Sequence, residues 1–263
     1  CRVDSGPPGA HGMNHRLLQA GLLLFCVVTG FSSPGHALEP RSEHADTGSE
    51  CVILLHGLWR TPLSMLAVEW ALARLGYEVA NVRYSSLTRT IQENARLAVQ
   101  EGLAECRASG MSRISFVGHS LGGILVRQFL RDYPVPELGR VVMMVSPNQG
   151  SEMADYYSEL ISIGFLEPPA LAQLGTGIES VPLALGPVDF ELGVIAGSEH
   201  HRSLLPGIPD RPGDGTVAID ETMVVGMTDF ITLPISHTFM MWHGEVLDEV
   251  AHFLRYGRFS HRK

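Results

Sequence analysis

The feature that most restricts this chain is a tight turn between an apolar strand and an apolar helix. Arg113 to Gly118 has the continuous apolar character of a strand buried on both faces. It runs straight into Gly118-His119-Ser120-Leu121-Gly122, then Gly123, then a helical pattern carrying Ile124, Leu125, Phe129 and Leu130. Glycine on both sides of the serine removes the Cβ clashes of so sharp a reversal and leaves the serine at its crest. With 28 glycines in the chain, this five-residue pattern alone would arise by chance about one time in five. Its position at a strand-to-helix junction supplies the specificity, and makes Ser120 a candidate nucleophile. His119 lies next to it and reads as packing within the turn.

The same alternation runs through the chain. Strands are expected at Cys51–His56, Val79–Tyr84, Arg113–Gly118, Val141–Val145, Leu192–Ala196 and Phe230–Leu233. Between them, Thr61-Pro62 offers an N-cap with proline at the first helical position, for a helix to Leu75 that Gly76 closes. Thr90 and Glu93 form a capping box for a helix to about Arg107. Further helices are expected over Leu121–Tyr133 and Glu245–Tyr256, the last with Val246, Leu247, Val250, Phe253 and Leu254 on one face. Alternating strands and helices imply an α/β fold of about six mainly parallel strands wrapped on both faces. One stretch breaks the rhythm. About 45 residues separate the fourth strand from the fifth, longer than an ordinary crossover. Residues 148–190 are therefore a candidate cap or lid, with a helix plus packed loop as the plain alternative.

Four segments in this order resemble the α/β-hydrolase superfamily, and within it small secreted lipases and esterases. They are His56-Gly57-Leu58, Gly118–Gly123, Asp214-Gly215-Thr216-Val217 and Ser236-His237-Thr238. The resemblance covers residues 51–259, the expected hydrolase domain, in a compact form of the fold. It implies the chain order serine, acid, histidine. Serine is a poor nucleophile at neutral pH and needs a base, itself oriented by a carboxylate. His237 directly follows the last strand and is the expected base; His243 is the runner-up. Asp214 lies in the loop after the fifth strand and is the expected acid, ahead of Asp210 and Glu199. By resemblance the backbone N–H groups of Leu58 and Leu121 form the oxyanion hole, with His56, Gly57, Gly118 and Gly122 shaping the loops.

The expected reaction is two-step acyl transfer to water through an acyl-enzyme on Ser120. Leu58, Trp59, Leu121, Phe239, Met240, Met241 and Trp242 flank the catalytic loops, which favours a lipid or other apolar ester and transient contact with a lipid interface. An amidase, thioesterase or acyltransferase would use the same residues. A non-catalytic binding domain on the same fold is the remaining alternative, and it would have no reason to keep all three catalytic groups. No cofactor or metal is called for. The net charge of −9 repels phosphate backbones and argues against nucleic acid.

The beginning of the sequence reads as processing signal. Residues 1–12 are patternless and read as an upstream segment foreign to the protein. Residues 13–37 follow the layout of a signal peptide: Arg16 near the start, an apolar run from Leu17 to Phe31, and small residues Gly35 and Ala37 before a cut. An uncleaved anchor is the rival reading. Residues 38–50 form a polar linker. The expectation is a secreted or periplasmic protein. Export leaves Cys51 and Cys106, both at the same end of the expected sheet, where a disulfide and two buried thiols are equally open readings.

Overall fold

The computed structural model describes residues 49–162, 167–199 and 210–261. The expected signal peptide, residues 38–48 of the expected linker, and Ile163, Phe165 and Leu166 of the candidate cap lie outside them; the last linker residue, Glu50, is instead the first residue of the sheet, paired with Arg113. Six strands form one sheet: β1 (Glu50–Leu55), β2 (Glu78–Asn81), β3 (Arg113–His119), β4 (Leu138–Met144), β5 (Leu192–Gly197) and β6 (Asp229–Leu233). Their order is β2-β1-β3-β4-β5-β6, and every pair is parallel. Because side chains alternate across a strand, each strand feeds two cores. Ile53, Leu55, Phe116 and Met143 pack against α2 (Ile91–Ala108) and α3 (Leu121–Asp132). Val52, Leu54, Val117 and Met144 pack on the other face against α1 (Leu66–Arg74) and α8 (Gly244–Tyr256).

The chain leaves β1 for β2 on one side, then returns to place β3 on the other. In an open parallel sheet such a reversal opens a crevice at the carboxyl ends of the two strands, and ligands bind there. The loops after β1 and β3 both open at this edge. At the opposite edge a disulfide joins Cys51, in β1, to Cys106, in the last turn of α2. Of the two open readings for these cysteines, the structure shows the bridge. It closes a loop of 55 residues, which by chain entropy alone disfavours the unfolded state by about 4 kcal/mol.

Three expectations change in detail. The helix after β1 starts as a 3-10 turn over Pro62–Met65, and the Thr61 side chain does not cap it. Instead the Thr61 carbonyl accepts both the Ser64 N–H and the Ser64 hydroxyl, which tightens the turn to three residues. β2 is shorter than expected, because pairing with β1 ends after Asn81 apart from one bond from Val82 N–H to the Leu54 carbonyl. Among the described residues, the stretch between β4 and β5 contains three helices: α4 (Glu152–Ser162), α5 (Pro169–Ala172) and α6 (Val181–Ala184). The capping box at Thr90 and Glu93 is formed as the sequence predicts. A further short helix, α7 (Ile219–Thr222), follows the loop that carries Asp214.

Candidate active site

Ser120 sits between the end of β3 and the start of α3 with φ 54° and ψ −120°. A non-glycine residue at positive φ costs on the order of 1–3 kcal/mol, and persists only where its surroundings dictate it. Here two glycines do so. A Cβ at Gly118 would lie 2.4 Å from the Gly123 nitrogen, and one at Gly122 would lie 2.1 Å from the Leu55 carbonyl oxygen. No side chain fits at either position, so α3 docks directly onto the backbone of β1 and the turn is forced. The Ser120 N–H is held by the Met144 carbonyl (2.9 Å).

Two other loops converge on this turn. The loop after β1 approaches so closely that a Cβ on Gly57 would lie 3.2 Å from Ser120 Cβ. Leu58 follows, and Leu121 is the first residue of α3. Among the described residues, neither backbone N–H donates to a protein acceptor. His56 is buried and supports the loop: its ring stacks on Tyr84 (centroids 4.0 Å, interplanar angle 3°), and the Tyr84 hydroxyl donates to the His56 carbonyl. His56 Nδ1–H donates to the Gly57 carbonyl (2.9 Å).

From the far side of the sheet come His237 and Asp214. His237 Nδ1 is 2.7 Å from Asp214 Oδ2. The Asp214 carboxylate is fully buried, while the imidazole remains 11% exposed. Asp214 Oδ1 accepts the N–H groups of Thr216 (2.9 Å) and Val217 (2.8 Å). The carboxylate is thus held on both oxygens, and its second oxygen is left to orient one ring nitrogen. His237 N–H also donates to the Asp214 carbonyl (3.1 Å), locking the two loops together. His243 is exposed at the N-cap of α8, and Asp210 and Glu199 are exposed and do not line the cleft that holds His237.

Ser120, His237, Leu58 and the Gly215–Val217 turn line one cleft of about 340 Å³. Arg60, Ser151 and Thr238 add polar groups to its lining, and an apolar wall comes from the segment between β4 and β5: Met153, Ala154, Tyr157, Leu171 and Leu174. Trp59 meets Tyr157 edge-on across the mouth (6.3 Å). All five residues of the apolar wall lie in residues 148–190, expected as a candidate cap, but the sequence does not single them out as wall residues.

His119 has a closer relation to the site than its sequence position suggests. Its ring lies 4.9 Å from that of His237, and its Nε2–H donates to the His237 carbonyl (3.3 Å). Burial pushes the His119 imidazole well below its ordinary value of 6.5, with the neighbouring His237 adding to the shift. Burial also lowers His56.

Residues 46–148 match the family model described as "Putative serine esterase (DUF676)". No curated protein matches the sequence. Among solved structures the chain is similar to mature Bacillus licheniformis lipase BlEst2, at 18% identity over 82% of this chain and 94% of that one, with TM-score 0.62. It is similar to Legionella pneumophila phospholipase PlaB at 20% identity over 72% of this chain, with TM-score 0.58, and spans 53% of that protein. A thermophilic esterase from Thermogutta terrifontis matches at 16% identity over 80% of this chain and 92% of that one, with TM-score 0.54. At these identities the likeness is one of fold. The chain has the α/β-hydrolase fold.

The two depressed histidines predict how stability responds to acid. The unfolded chain takes up protons near pH 6.5, whereas the folded chain holds His119 and His56 neutral to lower pH. Stability is therefore complete above about pH 6.5 and falls as the pH drops below it, by up to about 1.4 kcal/mol per pH unit for each histidine. Urea denaturation at about pH 7.5 and about pH 5.5 measures this, and H119Q is expected to flatten the dependence. Equal stability at both values would contradict the assignment.

Proposed function

We propose that this chain hydrolyses carboxylic esters, with Ser120 as nucleophile, His237 as general base and Asp214 as the orienting acid. The observation that carries this reading is the Asp214–His237 contact at 2.7 Å, in the same cleft as a serine held at positive φ. In the first step His237 takes the Ser120 proton as Oγ adds to the ester carbonyl. The Leu58 and Leu121 N–H groups stabilise the resulting oxyanion. Collapse of the tetrahedral intermediate expels the alcohol, which His237 protonates, and leaves an acyl-enzyme. Water then repeats the cycle and releases the acid, restoring Ser120. Buried Asp214 stabilises the imidazolium that forms twice in this sequence.

Lipid or other apolar esters are the proposed substrates. The wall of Met153, Leu171 and Leu174 offers an apolar chain a surface to bury, Trp59 (52% exposed) lines the mouth, and Phe239 (65% exposed) directly follows the cleft-lining Thr238. The names of the BlEst2 lipase and the PlaB phospholipase are in keeping with this class. A panel of p-nitrophenyl esters of rising acyl length, beside emulsified triacylglycerol and a phospholipid, tests it. S120A is expected to lose about three orders of magnitude or more in kcat, and D214N a hundredfold or more, roughly as for other triads. Rates should rise beyond the acetyl ester. Undiminished hydrolysis by S120A would remove the mechanism, and a preference for acetyl over every longer chain would remove the apolar substrate.

We propose also that the protein is exported, its hydrolase domain preceded by a signal peptide over residues 13–37. The Cys51–Cys106 disulfide supports this, since such bonds persist in oxidising compartments. Intact-mass measurement of exported protein should find a mature chain starting near Leu38. Retention of Leu17–Phe31 would contradict it.

A further inference from the structure

One buried ionisable group takes no part in the proposed mechanism. Arg127 lies on α3, the helix that begins beside Ser120, and is only 3% exposed. Its Nη1 donates to both the backbone carbonyl (3.1 Å) and the side-chain oxygen (3.0 Å) of Asn148, and its Nη2 donates to the Gly186 carbonyl (2.5 Å). All three acceptors are neutral. Burial lowers the guanidinium to about 10, so it remains charged at neutral pH. Holding a cation in the interior on carbonyls alone is costly, and an apolar side chain would pack there with less penalty. What an arginine adds is reach: a planar fork that bonds two separate loops at once.

Those two loops lie at or near the two ends of one segment. Asn148 opens the stretch between β4 and β5, and Gly186 lies near its end. Between them α4, α5 and the turn after α5 supply Met153, Tyr157, Leu171 and Leu174 to the cleft. The segment is also tied across itself. Ser151 N–H donates to the Leu174 carbonyl (2.9 Å), and the Asp155 carboxylate accepts from the Thr176 N–H (3.0 Å) and hydroxyl (2.6 Å). Its first end is further fixed to the acid-bearing side of the site, because Asn148 Nδ2 donates to the Thr222 carbonyl (2.7 Å).

We infer that Arg127 is a positioning residue: it pins both ends of the described parts of this segment, residues 148–162 and 167–190, to the helix that carries the nucleophile, so that they act as a fixed wall setting how long an apolar chain the site accepts, not as a swinging lid. This rests on the ester-hydrolase reading above for its functional half. A swinging lid needs ends that can turn. Here one rigid planar group spans both ends, about two turns of helix from Ser120.

The test uses R127K and R127M in the full chain. Lysine keeps the charge but, as a point donor, cannot serve both loops; methionine keeps the packing volume. Two measurements are made: kinetics on esters lengthened on the acyl side and on the alcohol side, and amide hydrogen exchange. Both variants are expected to lose about tenfold in kcat/KM on the longest accepted ester, mainly through KM, with a much smaller loss on the shortest. Exchange should quicken in residues 148–160 and 181–190 and stay unchanged in β3 and β5. Equal losses on short and long esters, exchange quickened throughout the sheet, or no change in either measurement would each overturn the inference. Should the unmodified protein hydrolyse no ester, the functional reading fails, and the exchange measurement still decides whether Arg127 holds the segment.

Discussion

Helix α3 lies against β1 with no side chain between them at Gly122, where a Cβ would sit 2.1 Å from the Leu55 carbonyl oxygen. This contact sets the geometry of everything around it. It brings the helix onto the strand edge, compresses the turn that precedes it, and forces Ser120 to φ 54°. It also fixes the distance between β1 and β3 at their carboxyl ends, where the loop carrying Leu58 must fit beside Ser120. Any larger residue at position 122 would separate helix from strand and release the serine from its strained conformation.

The rest of the site is built from the other half of the sheet, and with a different device. The Asp214–His237 pair depends on a carboxylate fully withdrawn from water yet bonded on both oxygens. An unbonded carboxylate at that depth would be costly to keep ionised. The two N–H groups of Thr216 and Val217 offset that cost and fix the carboxylate's orientation at once. His119 then links the two halves, bonding from the serine turn to the His237 carbonyl. At the opposite edge of the sheet the Cys51–Cys106 disulfide ties β1 to α2. The strained turn therefore sits in a sheet braced at both ends.

The parts of this arrangement that were legible in the sequence share one property: local residue chemistry dictates them. A strand buried on both faces must be continuously apolar, so β1, β3, β4 and β5 stand out. A turn that admits no Cβ must be glycine, so the surroundings of Ser120 stand out as well. Asp214 and His237 are legible from their order and their place after strands, although only coordinates give their contact. What stayed hidden depends on segments distant in sequence. Arg127 interrupts an otherwise apolar run in α3, which was the available signal, but its partners are 21 and 59 residues away. Residues 148–190 are legible only as a long insertion, because which side chains of α4 and α5 face the cleft depends on how these helices dock. Thr61 looks like a helix cap by residue type, but the Ser64 N–H its side chain would have accepted donates to the Thr61 carbonyl instead. Cys51 and Cys106 could be placed at one end of the sheet but not brought within bonding distance, since that depends on how α2 crosses it.

The account stands on Ser120 being an activated nucleophile. Reaction with a fluorophosphonate followed by peptide mapping tests this most directly. A single adduct on Ser120, formed far more slowly in H237A, is the predicted result. No adduct in a folded protein, or an adduct on another residue with Ser120 unmodified, would contradict it.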